Sequence, residues 1–549
     1  MPAFPTRRDA LELGALALLC VLAVGPAHLL PDARALGRPT RDLYDHLALL
    51  DAWFLHTKDW AYPDGGSLVP PDLFGMILAA PLLAWGDTFG RALAYNFGLV
   101  ARLWFAAAGA WALGRRSGSG LVAGVAFGLS PFLYGEVYTG EAETLSAWPL
   151  PVMALLLEVG GARALLAAGA VGAVGAIGSW YYGSFMAVYV AGWTLLNART
   201  LGRQALLPCV TFAGLIALPA LVYAHFLAAP DQLFRGLDMV TYLEKQPRAL
   251  AQMVSDPATW LTEPPAGATH DDRLGIAILA FATLGLLDRT WRTRWGWLVV
   301  TLGGLALAIG PVLYYNGSPL TNLTPYHLLA QLPLFDLMRL PHRWMLVASL
   351  GLALLAARGA RGAPVVAAAL VFLETVWFGA PEDASVPRAP VADVAGPVLD
   401  LPPRTLGGQD ARGLYLLWQR THRQPIAYSL SMSAWGGTIA EEPLFIAMAA
   451  VDNRDRIAES PVDAAQFRQG TFAGRVAAYR RDDIPSDDLV GAGDRVRALG
   501  FTTVLLHTFL YDETDRARAI EIATAALGPV NEASAEFLRW DLLKPTAEE

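Results

Sequence analysis

Long apolar runs recur from Leu11 to Phe378, and the charged residues stand mostly in the connections between them. Of the 549 residues, 54% are hydrophobic and only 16% are charged, and the mean hydropathy is +0.38. Soluble domains carry roughly 25% charged residues. The pattern therefore predicts an α-helical polytopic membrane bundle, and we expect a multi-pass protein of the plasma (inner) membrane.

Counting the apolar runs predicts about eleven transmembrane helices. Residues 72–86 are short and contain Pro81, which favours a re-entrant or interfacial helix over a span. The predicted spans are 11–30, 91–114, 119–135, 145–159, 164–178, 184–197, 205–225, 274–288, 295–313, 343–357 and 363–379.

Arginines stand in alternate connections between these segments, starting with Arg7 and Arg8 before the first one. Cytoplasmic loops retain Lys and Arg, so this side is predicted to be the cytoplasm and to hold the N-terminus. The opposite, extracytoplasmic face then receives the external loop 31–90, with an amphipathic and a re-entrant helix, and the C-terminal part of the chain.

The composition changes near Gly379, where the apolar runs end and polar residues become frequent. We expect a transmembrane domain over 1–379 and an extracytoplasmic, soluble α/β domain over 380–549, because short apolar runs alternate there with helical patterns. The net charge is −8 and no block of Lys and Arg is present, which argues against nucleic acid as a partner.

An acidic helix is predicted after the first apolar run, in "PTRDLYDHLALLDAWFLHTKDW". Asp42, Asp45 and His46 lie three and four positions apart and share one face of it. Carboxylates in this position suit a general base for an acceptor hydroxyl, or an oxygen ligand of a divalent cation beside a phosphate leaving group. The alternative is the solvated face of an amphipathic helix.

Two further polar groups are predicted on the same face of the membrane. Glu136, Glu141 and Glu143 lie in one short loop, where carboxylates held close together need a cation or a proton, unless they are simply solvated. Arg339 and Arg343 precede a late span, and their forked guanidinium groups match a phosphate. Snorkelling to the interface or pairing with Asp336 is the alternative.

With these residues in view, most of the chain resembles bacterial membrane proteins of the GT-C glycosyltransferase superfamily. The resemblance rests on the order of the motifs "RDLYDH", "YPDGGSLV", "ILAAPLLAWG", "GLSPFLYGEVYTGEAETLSAWPLPVMALLL", "LPLFDLMRLPHRWMLVASLGLALLAARG", "PVLDLP", "WQRTHRQPI" and "GFTTVLLHTFLYD". The first motif departs from the family in two ways: relatives often have Gly at the position of Arg41, and this chain lacks a compact Asp-x-Asp.

The resemblance implies an enzyme, a hexosyltransferase that moves a sugar from a polyprenyl-phosphate donor to an acceptor on the extracytoplasmic face. It implies that Asp42 and Asp45 act as catalytic base or metal ligands, with Mg or Mn as the expected divalent cation. His46, Glu136, Glu141, Glu143, Arg339 and Arg343 become substrate-binding candidates, and the membrane lipid becomes a partner. The open alternative is a non-enzymatic transporter or assembly factor for envelope polymers, whose carboxylates would bind cations or protons.

Overall fold

The computed structural model describes residues 6–30, 33–38, 43–44, 46–48, 50, 73–83, 90–227, 254–261, 271–330, 340–377, 382–386, 389–390, 393–403, 411–428, 438–452, 476, 479, 484 and 486–542. The chain divides into two compact units. The membrane unit comprises Met1–Arg38, Pro71–His225 and Gly236–Ala384, and the C-terminal unit comprises Pro39–Pro70, Phe226–Arg235 and Ser385–Glu549.

The membrane unit is built from helices that follow the predicted apolar segments. Two short strand pairs accompany them: β1 (Ala35–Leu36) with β4 (Asp383–Ala384), and the hairpin β2 (Leu313–Tyr315) with β3 (Ser318–Thr321). The helices are α1 (Arg7–Val24), α2 (Leu73–Leu83), α3 (Gly90–Ser117), α4 (Gly120–Gly128), α5 (Pro131–Thr139), α6 (Pro149–Val159), α7 (Ala162–Gly178), α8 (Trp180–Leu201), α9 (Leu207–Leu227), α10 (Ile276–Leu287), α11 (Arg294–Ala308), α12 (Pro325–Leu329), α13 (Met345–Gly359) and α14 (Pro364–Trp377).

Within the described residues, three helical stretches are long and apolar enough to cross a membrane: Gly90–Ser117, Ala142–Val159 and Tyr181–Leu221. A bent pair, Gly120–Gly128 with Pro131–Val137, raises the count to four. Four shorter apolar helices are α7, α10, α11 and α14. The described part of the chain therefore has the several apolar helices that a multi-pass membrane protein requires.

Glycine and proline mark the breaks between neighbouring helices of the membrane unit. Gly160 and Gly161 both adopt positive φ, at 70° and 79°, and turn the chain between α6 and α7. Ser130 caps α5 by accepting a hydrogen bond from the amide of Leu133, and Pro131 occupies the first helical position. The first break separates α6 from the 17-residue α7, and the second separates α4 from α5.

Helix α13 lies at the centre of the membrane unit, because every residue from Met345 to Ala357 is buried. Its end is tied to the connection after α10 by ion pairs from Arg358 and Arg361 to Asp288, at 2.7 and 3.0 Å. Hydrogen bonds from Thr290 and the Arg358 guanidinium lower the pKa of the Asp288 carboxyl to about 2. The carboxylate therefore stays charged and holds both helices.

The C-terminal unit contains a small mixed sheet of four strands in the order β5 (Val398–Leu401), β6 (Thr503–His507), β8 (Phe537–Asp541) and β7 (Glu532–Ala533). Strands β5 and β6 are parallel, whereas β8 runs antiparallel to both β6 and β7. Its helices are α15 (Ala411–His422), α16 (Pro443–Asp452), α17 (Ser486–Leu489), α18 (Ala492–Ala498) and α19 (Glu513–Leu527).

Candidate functional site

A tightly held acidic turn follows α5 in the membrane unit. Gly140 ends the helix in a left-handed conformation, and Ala142–Leu145 then form one turn of 3₁₀-helix. The Tyr95 hydroxyl donates to the Gly140 carbonyl at 3.3 Å, and a side chain at Gly37 would collide with Gly140. The turn that carries the second predicted acidic group is thus fixed by close backbone packing.

Arg343 brings the third predicted group onto this turn. It lies in the 3₁₀ turn Pro341–Trp344 that leads into α13, and its side chain is only 3% exposed. Its Nη2 donates to Glu141 Oε2 and lies 3.6 Å from Glu143 Oε1. The guanidinium carbon stands 4.4 Å from the centre of the Tyr181 ring, which adds a cation–π contact.

Glu136 is the most deeply placed carboxylate of the group, with 1% of its surface exposed. Its Oε2 accepts a hydrogen bond from Thr144 Oγ1 at 2.8 Å, and its Oε1 lies 4.0 Å from His342 Nε2. The Tyr182 hydroxyl donates to the Thr144 carbonyl, so helix α8 also supports the turn. A buried carboxylate needs such partners, because desolvation otherwise disfavours its charged form.

A second buried arginine supports the turn from helix α3. Arg102 Nη1 donates to the Ala142 carbonyl, and the residue is 3% exposed. Arg343 therefore contacts carboxylates of the turn, whereas Arg102 holds its backbone. Charged residues inside membrane bundles are costly and often mark functional sites. We refer to Arg102, Glu136, Glu141, Glu143, Thr144, His342 and Arg343 as the membrane polar cluster.

The structure thus brings together four of the predicted site residues, Glu136, Glu141, Glu143 and Arg343. His46 lies in a helical stretch of the C-terminal unit, where it is buried with Leu43 and Leu47. The remaining candidates, Asp42, Asp45 and Arg339, lie outside the described residues. The roles assigned to all of these residues stay predictions.

Sequence reasoning missed Arg102 and Thr144 as members of the cluster. A signal for Arg102 was present, since it stands inside the long apolar helix Gly90–Ser117. Thr144 carried none, because hydroxyl side chains are common in membrane helices and loops. Its role depends on Glu136, which the helix α5 places opposite it.

The described residues do not form a metal site. Among them, no three His, Cys, Asp or Glu side chains lie close enough together to hold a metal ion. Glu141 and Glu143 face Arg343, whose positive charge already satisfies them. The resemblance places the expected cation at Asp42 and Asp45, which lie outside the described residues.

A second buried polar group lies in the C-terminal unit, where the parallel strands β5 and β6 end. His507 Nε2 lies 2.8 Å from Asp400 Oδ1, and both side chains are buried. The ring of His507 stacks on Tyr415 at 5.2 Å and packs against Trp418 at 4.9 Å. Burial lowers the pKa of the neighbouring His422, with Asp400 acting in the opposite direction and His507 in the same one.

No protein-family model matches the sequence, and no curated protein matches it. Among solved structures, the chain is similar to the archaeal oligosaccharyltransferase AglB from Archaeoglobus fulgidus. The match to the complex of that enzyme with an inhibitory peptide and a dolichol-phosphate has 11% sequence identity and a TM-score of 0.39. It covers 96% of this chain and 72% of that one.

The apo form of the Archaeoglobus fulgidus enzyme gives 10% identity, the same coverage of 96% and 72%, and a TM-score of 0.42. Its complex with Zn and sulfate gives 11% identity, coverage of 94% and 70%, and a TM-score of 0.41. At such identities and scores, these matches assign no ligand, metal or activity to any residue of this chain.

Proposed function

We propose that the chain is a membrane glycosyltransferase that transfers a sugar from a polyprenyl-phosphate donor to an acceptor on the extracytoplasmic face. The observation that carries the proposal is the buried Arg343, held among glutamates in a membrane unit. A buried guanidinium group needs an anionic partner, and its two parallel N–H donors match two oxygens of a phosphate. A lipid-linked phosphate is an anion that the membrane itself supplies.

The reaction that we propose is a single displacement with inversion at the anomeric carbon. The acceptor hydroxyl oxygen attacks that carbon while the bond to the phosphate oxygen breaks, and the electron pair leaves with the phosphate. Asp42 or Asp45 takes the proton of the acceptor hydroxyl as general base. The positive charge of Arg343 stabilises the negative charge that develops on the leaving phosphate.

Arg343 has to exchange partners for this reaction. The guanidinium already binds Glu141 and stands near Glu143, so the donor phosphate competes with these carboxylates. Glu136 and Tyr182 bond to Thr144 in the turn that bears these carboxylates, so they hold the competing carboxylates in position. The ring of Tyr181 keeps the guanidinium plane in place during the exchange.

The test compares a deletion strain with strains that express the full-length chain. The deletion strain is expected to accumulate polyprenyl-phosphate-linked sugar and to lack one surface glycan, and the wild-type chain is expected to restore it. Asp42→Asn, Asp45→Asn and Arg343→Ala should fail to restore the glycan at equal protein level. Arg361→Gln serves as a matched control, because this arginine is 56% exposed and pairs with Asp288 outside the cluster.

Unchanged lipid-linked sugars and unchanged surface glycans in the deletion strain would overturn the proposal. Full restoration of the glycan by both the Asp42→Asn and the Asp45→Asn variant would show that neither aspartate is the general base. Purified protein in vesicles containing a polyprenyl-phosphate sugar then checks the chemistry directly, since a transferase consumes this donor and forms the free polyprenyl phosphate.

One observation favours a second function, that of a transporter or assembly factor for envelope polymers. Glu136 and His342 are both buried and lie 4.0 Å apart within the membrane unit. A buried carboxylate beside an imidazole can bind and release a proton, as carboxylate and histidine chains do in pumps. A substrate that crosses vesicles unchanged in a proton-dependent manner, with no loss of its phosphate linkage, would support this alternative.

A further inference from the structure

The segment between Trp295 and Phe335 contains no Asp, Glu, Lys or Arg, although only its first part is a membrane helix. Its described residues end α11, form the β2–β3 hairpin and continue into α12. Connections that face water normally carry charged residues. We refer to residues 313–329 as the apolar hairpin segment.

The apolar hairpin segment has a defined conformation. Asn316 and Gly317 have φ values of 51° and 72°, which suits a tight hairpin turn. The Gly317 amide donates to Asp256 Oδ2 at 2.9 Å, and Thr324 Oγ1 donates to the Gly310 carbonyl at 2.6 Å. The first bond ties the hairpin turn to the 3₁₀ turn Pro257–Thr259, and the second ties the residue before α12 to the chain just after α11.

This fixed conformation turns large apolar side chains outwards. Leu320 is 64% exposed, Leu323 is 89% exposed and Leu328 is 69% exposed, while Tyr315 is 52% exposed. A soluble protein rarely groups such residues on one short element without a partner that covers them. Aromatic and aliphatic side chains of this kind are common at the membrane–water interface.

The length of α11 indicates what covers the exposed apolar side chains of the apolar hairpin segment. The helix begins at Arg294 and has 15 residues, so it rises only about 22 Å. The hydrocarbon core of a bilayer is about 30 Å thick. With Arg292 and Arg294 at one surface, the far end of α11 lies below the other surface, at the depth where the apolar hairpin segment begins.

We propose that the apolar hairpin segment inserts into the bilayer interface at the end of α11 remote from Arg294, with Leu320 and Leu323 among the lipid acyl chains. The segment would then fill the part of the bilayer that α11 is too short to cross, and it would anchor this end of the membrane unit. The proposal is independent of the proposed transferase activity, because it concerns contact with lipid and no reacting group.

The experiment uses the full-length chain in nanodiscs of phosphatidylcholine and phosphatidylglycerol. Cys20→Ala and Cys209→Ser remove the native thiols, and Leu320→Cys or Leu323→Cys then receives a polarity-sensitive fluorophore. A label at Glu521, an exposed residue of α19 in the C-terminal unit, is the matched control. Each labelled protein is titrated with a nitroxide-bearing lipid and, separately, with iodide in the buffer.

The labels at Leu320 and Leu323 are expected to be quenched several-fold more by the nitroxide lipid than the label at Glu521, and several-fold less by iodide. Equal iodide quenching at all three sites would overturn the proposal, because the segment would then face water. Protection from both quenchers would also overturn it, since a second copy or another protein would cover the segment. Tyr315→Cys provides a further reporter on the other strand.

Discussion

Arg343 and Glu141 form an ion pair in the membrane unit although they stand 202 positions apart in the sequence. The arginine side chain is almost wholly buried, whereas the Glu141 and Glu143 side chains keep 23% of their surface exposed. The guanidinium is thus the part of the pair that depends on the protein for its solvation. Removing it leaves two partly buried carboxylates without their cation.

Arg343→Met is therefore expected to lower the free energy of unfolding by about 1–3 kcal/mol, less than for a fully buried pair because the carboxylates reach solvent. Adding Glu141→Gln should recover part of this loss, which a double-mutant cycle measures as a coupling energy. Arg361→Met is the control, and its exposed pair should contribute below about 1 kcal/mol. Strictly additive losses for Arg343 and Glu141 would contradict the pairing.

Thr144 supports the acidic turn through its side chain. Thr144→Val keeps the shape of the residue but removes the hydroxyl that donates to Glu136 at 2.8 Å. The buried carboxylate then loses this hydrogen bond, so we expect the free energy of unfolding of the purified protein to fall by about 1–3 kcal/mol. Thr144→Ser keeps the hydroxyl and should retain most of the stability. Equal losses in both variants would assign the effect to the methyl group and its packing.

Local hydropathy was enough to predict where most helices form. Each predicted apolar segment contains a helix, because burial of apolar side chains and backbone hydrogen bonding are both local in a membrane segment. The break at Gly160 and Gly161 was also visible in the sequence, since the predicted spans 145–159 and 164–178 end and resume on either side of it. Short apolar runs in the C-terminal part predicted strands where β5 and β6 form, whereas β7, β8 and the mixed sheet that all four strands build were not predicted.

The contacts of the membrane polar cluster could not be predicted in the same way. Glu141 and Arg343 were each singled out as charges beside membrane helices, but nothing local joins residues so far apart along the chain. The same holds for Asp400 and His507, which meet only because β5 and β6 pair in parallel. Local patterns in a single sequence predict strands, but they do not predict the order of those strands in the sheet.

His422 gives the C-terminal unit a dependence on pH. Its pKa is lowered from 6.5 by burial, so below pH 6.5 the unfolded chain binds a proton that the folded unit resists. The stability from the neutral imidazole is fully present above pH 6.5 and falls as the pH drops towards the lowered value. Thermal unfolding of the full-length chain between pH 5 and 8 should show this decline.

His422→Asn is the matched variant for this measurement, because an amide oxygen can replace His422 Nδ1 as acceptor for the Gln424 amide, a bond of 3.1 Å. The acid-induced decline should be smaller in the variant than in the wild type, since asparagine does not titrate. The other histidines are present in both proteins. Identical pH profiles would contradict the assignment to His422.

Two glycines test how closely α10 packs on α13. A Cβ at Gly285 would collide with the backbone of Leu355 and Gly359, whereas a Cβ at Gly296 in α11 meets nothing within 4 Å. Gly285→Ala should therefore cost about 1–3 kcal/mol, because the two helix backbones have to move apart. Gly296→Ala removes the flexibility of a helical glycine and should leave stability unchanged or raise it by about 0.5–1 kcal/mol. Thermal unfolding of both variants in the same detergent measures these changes in stability. A Gly285→Ala protein as stable as the wild type would show that α10 and α13 pack less closely than described.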